Sequence, residues 1–261
     1  MTEPVKATIC GEIALVLLDR PKAFNSFNLE TVTLFAEHLI NLSADDMVRG
    51  VVISGEGKAF CAGGDLKWIV DWPNGYASGF HILAGHFHQA ILEIRRMRKP
   101  VIAAINGVAA GGGFSLALAC DFRVMARSAV MRQAYTSAGL SIDGGGTFTL
   151  PRLVGMARAL EIAAFDEPIS AKQALEWGLV TRVVEDGQAR EEAMRMAEKL
   201  AQTALTSFAS SKQLFNDSSS NSFETQLESE RAALKSCATY AEAKEGLTAF
   251  VEKRKPVFGS F

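Results

Sequence analysis

Apolar residues fall into two alternating rhythms along the first two thirds of the chain. Short β-branched runs at Ile13–Leu18, 51–54 and Val101–Ile105 predict strands. Between the first two, Val32, Phe35, Leu39 and Leu42 recur on one face of a helical pattern behind Asn28, a residue type that caps helix amino termini. Phe87, Ile91 and Ile94 mark a second amphipathic helix that runs into Arg95, Arg96, Arg98 and Lys99. Cations there suit the negative end of a helix dipole, and Pro100 stops the helix. Phe122–Ala126 and 130–133 predict further strands, and Ser170 with Gln173 reads as a capping box for a short helix ended by Gly178. Strands alternating with helices over a buried sheet predict right-handed crossover units, hence an α/β core over 1–185. From 188 to 253 the pattern is helical, broken by a serine-rich turn at 216–221, which predicts a helical carboxyl-terminal region over 186–261.

Composition changes this picture little. The chain has 261 residues, 48% hydrophobic and 21% charged, with a formal net charge of -2, so bulk charge gives no reason to expect nucleic acid or a membrane as a partner. No apolar run reaches the roughly 20 residues of a membrane helix, and the amino terminus does not read as a signal peptide, so a cytoplasmic location is expected. Cys10, Cys61, Cys120 and Cys237 lack metal-ligand spacing and are expected as free thiols, with no metal or redox cofactor.

The chemistry is concentrated in glycine. Cys61-Ala62-Gly63-Gly64-Asp65, Gly111-Gly112-Gly113 and Gly144-Gly145-Gly146 are three glycine-rich loops, the second lying between a predicted strand and the helical run 114–119. Such backbones approach a ligand closely and can present amides at a helix amino terminus. A nucleotide phosphate is one use, but no P-loop lysine follows and no dinucleotide spacing occurs. The other use is an oxyanion hole, two N–H groups aimed at an oxygen that gains charge during reaction.

Five blocks, Arg20-Pro21-Lys22-Ala23, Lys58-Ala59-Phe60-Cys61-Ala62-Gly63-Gly64-Asp65-Leu66, Lys99-Pro100-Val101-Ile102-Ala103-Ala104, Asn106-Gly107-Val108-Ala109-Ala110-Gly111-Gly112-Gly113 and Ala249-Phe250-Val251-Glu252-Lys253-Arg254, occur in an order that resembles the crotonase (enoyl-CoA hydratase/isomerase) superfamily. The resemblance spans nearly the whole chain. It implies a crotonase-like ββα superhelix core, a helical trimerisation region and assembly as a homotrimer or dimer of trimers. An acyl-CoA thioester is then the expected substrate, coenzyme A entering as part of it and no other cofactor being needed. The same resemblance places the oxyanion amides on Gly64 and Gly112, flanked by Asp65, Leu66 and Gly111. Lys22, Ala23, Ala62 and Gly63 would line the coenzyme A cleft, and Phe250 and Lys253 of a neighbouring subunit would approach the adenine.

The two glutamates with which hydratases of that superfamily handle water fall at Ser115 and Tyr135, so both carboxylates are missing. Asp143 occupies the place where several isomerising members, including bacterial isomerases of the phenylacetate pathway, carry a working aspartate. The resemblance thus implies an enoyl-CoA isomerase with Asp143 as base and Tyr135 beside the substrate. Three alternatives stay open: a hydratase with an atypical acid and base, a chloroaryl-CoA dehalogenase using Asp143 and His88, and a non-catalytic acyl-CoA-binding protein. Asp143 can also be read as a plain helix cap. The segment 66–83, with Trp68, Trp72, Pro73 and Tyr76, is expected to contribute to the acyl pocket and suggests a bulky acyl group.

Overall fold

A computed structural model describes residues 3–259. In chain order its strands are β1 (Val5–Cys10), β2 (Ile13–Leu18), β3 (Gly50–Gly55), β4 (Ala59–Cys61), β5 (Val101–Ile105), β6 (Val108–Ala110), β7 (Phe122–Ala126), β8 (Val130–Arg132), β9 (Ile169–Ser170) and β10 (Arg182–Val184). The helices are α1 (Leu29–Ala44), α2 (Leu66–Val70), α3 (Gly75–Arg96), α4 (Gly112–Ala119), α5 (Gly146–Phe165), α6 (Ala171–Glu176), α7 (Ala189–Ala201), α8 (Leu205–Asp217), α9 (Phe223–Cys237) and α10 (Ala241–Val251).

A six-stranded sheet runs β1-β2-β3-β5-β7-β10, and a four-stranded sheet runs β4-β6-β8-β9. The hairpin β1–β2 and the pair β8–β9 are antiparallel, and all other pairings are parallel. Strand periodicity explains why the central runs are apolar throughout. On β3 and β5, Val51, Ile53, Val101, Ala103 and Ile105 join the core that includes α1, α3 and α4. Val52, Ile102 and Ala104 point the other way, where Ala193, Met196, Ala197 and Ala201 of α7 cover them. Both faces are dry, so both rows of side chains must be apolar.

Local signals hold at the helix ends. Asn28 Oδ1 accepts from the Thr31 amide at 2.9 Å, and Ser170 and Gln173 close the expected capping box ahead of α6. The basic cluster after α3 works differently from the expectation. Lys99 Nζ donates to the Leu42 carbonyl at 2.6 Å, capping α1 rather than its own helix. The Ile94 carbonyl of α3 accepts instead from Lys212 Nζ at 2.8 Å, which also pairs with Asp121 at 2.8 Å. That pair is buried, and burial pulls Lys212 down and Asp121 up from their ordinary pKa values while their mutual attraction opposes both shifts. The carboxyl-terminal region is helical as expected, but it breaks after α7 and α9 as well as at the serine-rich turn. Among the described residues no helix is long and apolar enough to cross a membrane.

Candidate active site

Three stretches of irregular backbone meet where β4, β6 and β8 end. The first runs from Cys61 to Asp65. Phe27 donates to the Gly63 carbonyl at 2.7 Å and Asp65 donates back to the Phe27 carbonyl at 2.8 Å, which pins the loop against the segment before α1. Gly63 has φ +91°, and a Cβ there would lie 2.7 Å from the Gly112 nitrogen and 2.9 Å from the Ala110 carbonyl oxygen. Only glycine lets the first loop touch the second this closely.

That contact sets two amides side by side. Gly63 N–H is directed at Cys61 Sγ at 3.4 Å, and Gly111 N–H donates to the Arg132 carbonyl at 3.2 Å. Among the described residues the next amide of each loop, Gly64 and Gly112, donates to no acceptor. Gly112 is the first residue of α4, so its N–H also stands at the positive end of a helix dipole. Both glycines line a cavity of about 330 Å³.

Asp143 lines the same cavity and is the one carboxylate among its lining residues. Its side chain does not cap α5, whose N-cap is Gly145. Instead Asp143 Oδ1 sits 2.5 Å from His88 Nε2 on α3, so its one side-chain partner is an imidazole. Tyr135 lines the cavity as well, and burial pushes its phenol well above the ordinary value, so it is a neutral hydrogen-bonding group here. Its hydroxyl is 3.5 Å from Ser115 Oγ, which is fully buried on α4. The two places at which hydratases are expected to carry glutamates therefore hold two hydroxyls in contact with each other.

The remaining walls come from α3 and the loop before α5. Ala77, Phe80, His81, Ala84 and Phe87 form one face of α3, opposed by Leu140, Ser141 and Ile142. Only the part of this wall up to residue 83 falls within the segment expected from the sequence; Ala84, Phe87 and 140–142 fall outside it, although the three- and four-residue spacing through Phe87 is its signature. Within 66–83, Leu83, Phe80, His81 and Ala77 do contribute, but Trp68, Trp72, Pro73 and Tyr76 do not line the cavity. Trp68 and Trp72 pack on each other with ring centroids 4.6 Å apart, and Tyr76 is exposed, because α2 and the start of α3 turn these rings aside.

The other expected contacts lie outside this cavity. Lys22 and Ala23 are in a short 3-10 turn, Pro21–Ala23, which leads to Phe24, whose carbonyl accepts from Ala62 N–H at 3.0 Å. That bond holds the Lys22-Ala23 turn beside the Ala62-Gly63 loop. Asp65 is committed elsewhere: one oxygen takes Arg20 at 2.9 Å and the other caps α2 through the Trp68 amide at 3.3 Å. Leu66 is exposed, and so is Phe250, at 82%, near the end of α10 with Lys253 just beyond it. Within one chain neither Phe250 nor Lys253 lines the cavity. Among the described residues no group of three or more His, Cys, Asp or Glu side chains could hold a metal ion.

Comparison with known proteins gives this geometry a context. Residues 8–260 match the family described as enoyl-CoA hydratase/isomerase. A 1,2-epoxyphenylacetyl-CoA isomerase of Escherichia coli (strain K12) is 38% identical over 259 residues, 99% of each chain. A short-chain-enoyl-CoA hydratase of Clostridium acetobutylicum is 34% identical over 246 residues, 94% of this chain and 93% of the relative. Among solved structures, an enoyl-CoA hydratase from Polaromonas sp. JS666 superposes with a TM-score of 0.89 at 39% identity, covering 97% of this chain and 98% of the other.

Proposed function

Because the chain belongs to the enoyl-CoA hydratase/isomerase family and is an acyl-CoA enzyme, we propose that it isomerises an enoyl-CoA, moving the double bond through a thioester dienolate. One observation carries the reading: a single carboxylate, Asp143, faces a cavity that also holds the unengaged amides of Gly64 and Gly112.

In this scheme the thioester oxygen accepts hydrogen bonds from the Gly64 and Gly112 amides. Asp143 removes a proton from C2 of a 3-enoyl thioester, and the C–H electron pair spreads into the dienolate, whose charge rests on that oxygen. The protonated Asp143 returns a proton at C4, the thioester carbonyl re-forms and a 2-enoyl thioester results. Water addition calls for a base to activate the water, and neither the neutral Tyr135 nor the buried Ser115 supplies one at neutral pH. Phe27, Phe80, Phe87 and Tyr135 on the walls suit a bulky or aromatic acyl group. The coenzyme A moiety would leave the cavity past Lys22, Ala23, Ala62 and Gly63, and the exposed Phe250 and Lys253 would meet it from a neighbouring subunit of a trimer or a dimer of trimers. Coenzyme A belongs to the substrate in this scheme, and no further cofactor enters.

The test is incubation with 3-enoyl-CoA and 2-enoyl-CoA in deuterated water, beside Asp143→Asn. Bond migration in the parent, lost in the variant while acyl-CoA binding persists, is the expected result. Hydration that survives the substitution would overturn the assignment.

A further inference from the structure

Asp143 is not alone at the cavity mouth. His88 Nε2 lies 2.5 Å from its Oδ1, and the two side chains are 50% and 36% exposed respectively. His88 itself is outside the cavity lining, one helical turn beyond Ala84 on α3. The imidazole thus bridges a carboxylate that faces the substrate space and the surrounding water. No other side chain bonds to Asp143 among the described residues.

We propose that His88 is the proton-relay partner of Asp143, setting how much of the proton taken from the substrate is exchanged with solvent before it is returned. The inference rests on Asp143 being the base. In the resting pair the His88 Nε2–H donates to the carboxylate. When the C2–H bond breaks, its electrons stay in the dienolate and its proton reaches Asp143. The pair then carries one extra proton, held either as carboxylic acid beside neutral imidazole or, once the ring has given its Nε2 proton to water, taken one at Nδ1 and accepted the acid proton at Nε2, as carboxylate beside imidazolium. The second form keeps a charge-assisted bond between the partners. Its ring proton exchanges with water through the exposed side of His88, and the proton sent back to C4 is then a solvent proton. Nothing is consumed: one proton leaves C2, one arrives at C4 and the pair returns to its starting state. His88 touches no reacting atom, so it is a positioning and relay residue rather than a catalytic one.

Two substitutions separate relay from positioning. In His88→Gln the amide N–H can still hold the Asp143 carboxylate but cannot carry a proton. In His88→Ala both functions are lost, and the open site admits free imidazole. Migration and deuterium incorporation per turnover are measured together in deuterated water. The expected result for His88→Gln is continued migration with the exchange-to-migration ratio lowered about 10²-fold, the lower end of what a positioned proton-transfer group contributes. Added imidazole is expected to restore exchange to His88→Ala and not to His88→Gln. A wild-type ratio in His88→Gln would overturn the relay and leave His88 as a strut. Asp143→Asn keeps the two readings apart: if it still migrates the bond, the base assignment fails and the relay with it; if it is inert while His88→Gln exchanges normally, the relay alone fails.

Discussion

Replacing Gly112 by alanine and by proline isolates one backbone N–H. An alanine Cβ at this position would sit 3.5 Å from Gly63 Cα and 3.6 Å from the nearest Phe87 ring atoms, ordinary van der Waals separations. Alanine therefore fits, keeps the N–H and favours the helix by roughly 0.5–1 kcal/mol relative to glycine. Proline occupies the same first helical position, where its missing N–H breaks no intrahelical bond and its fixed φ suits a helix. The preceding Gly111, with φ +53° and ψ −125°, lies outside the helical region that a following proline disfavours. The proline variant should thus fold much as the alanine variant does, lacking the amide that faces the cavity. Removing one oxyanion donor costs about 3 kcal/mol of barrier, which lowers kcat on an enoyl-CoA by about 10²–10³. The assay is steady-state migration for parent, alanine and proline variants, with a thermal melt of each. A well-folded proline variant whose kcat stays within about threefold of the alanine variant would show that this N–H stabilises no transition-state charge.

Three further outcomes follow from the packing. Gly63→Ala forces a side chain to φ +91° with its Cβ 2.7 Å from the Gly112 nitrogen, so a loss of about 1–3 kcal/mol and a lower Tm are expected, with acyl-CoA binding weakened as the two loops part; an unchanged melt would refute the close approach. Lys212→Ala leaves the buried Asp121 without its cation and should cost about 3–5 kcal/mol in denaturant unfolding, much of it recovered when Asp121→Leu is added. Burial pushes the Cys61 and Cys120 thiols up to about 12. The unfolded thiols ionise near pH 8.5 while the folded ones keep their protons, so this contribution is intact below about 8.5 and is lost as pH rises toward 12. The urea midpoint is expected to fall across that window and to fall less in Cys120→Ala; the raised Tyr135 phenol acts in the same direction above about pH 10.

Features governed by near neighbours could be read from the chain. The Asn28 cap and the Ser170–Gln173 box each join residues three apart, and the strand–glycine–helix order at Gly111 to Gly113 sets up the α4 terminus without distant help. Contacts between residues far apart in sequence could not be read in the same way. Lys99 looks like a cap for the helix it follows, yet its ammonium finds carbonyls at the end of α1, 57 residues away at Leu42. Asp65 follows Gly64, which lines the cavity, yet Arg20, 45 residues earlier, takes its carboxylate. The tryptophans of 66–83 are conspicuous in composition, but the bend between α2 and α3 decides that Phe80 and Leu83 face the cavity while Trp68 and Trp72 face each other. A helical wheel shows which residues share a face, and it does not show what that face meets.

The site illustrates how these two kinds of information combine. Each amide of the pair is prepared locally, Gly112 by the start of a helix and Gly64 by a loop whose neighbouring N–H groups are already engaged. Their meeting depends on a long-range fact, the touching of Gly63 and Gly112 across two strands of the small sheet. Asp143 is placed by a third route, the loop into α5, and is held there by His88 from the opposite wall, 55 residues earlier. Because the donors are backbone atoms, side-chain replacement leaves them in place, and the reaction type is free to change with the side chains around them. With hydroxyls at Ser115 and Tyr135, the proposed proton chemistry rests on the Asp143–His88 pair. If the pair relays protons as proposed, the partition between migration and solvent exchange is the quantity most sensitive to it, and substituting His88 should move that partition without touching either amide.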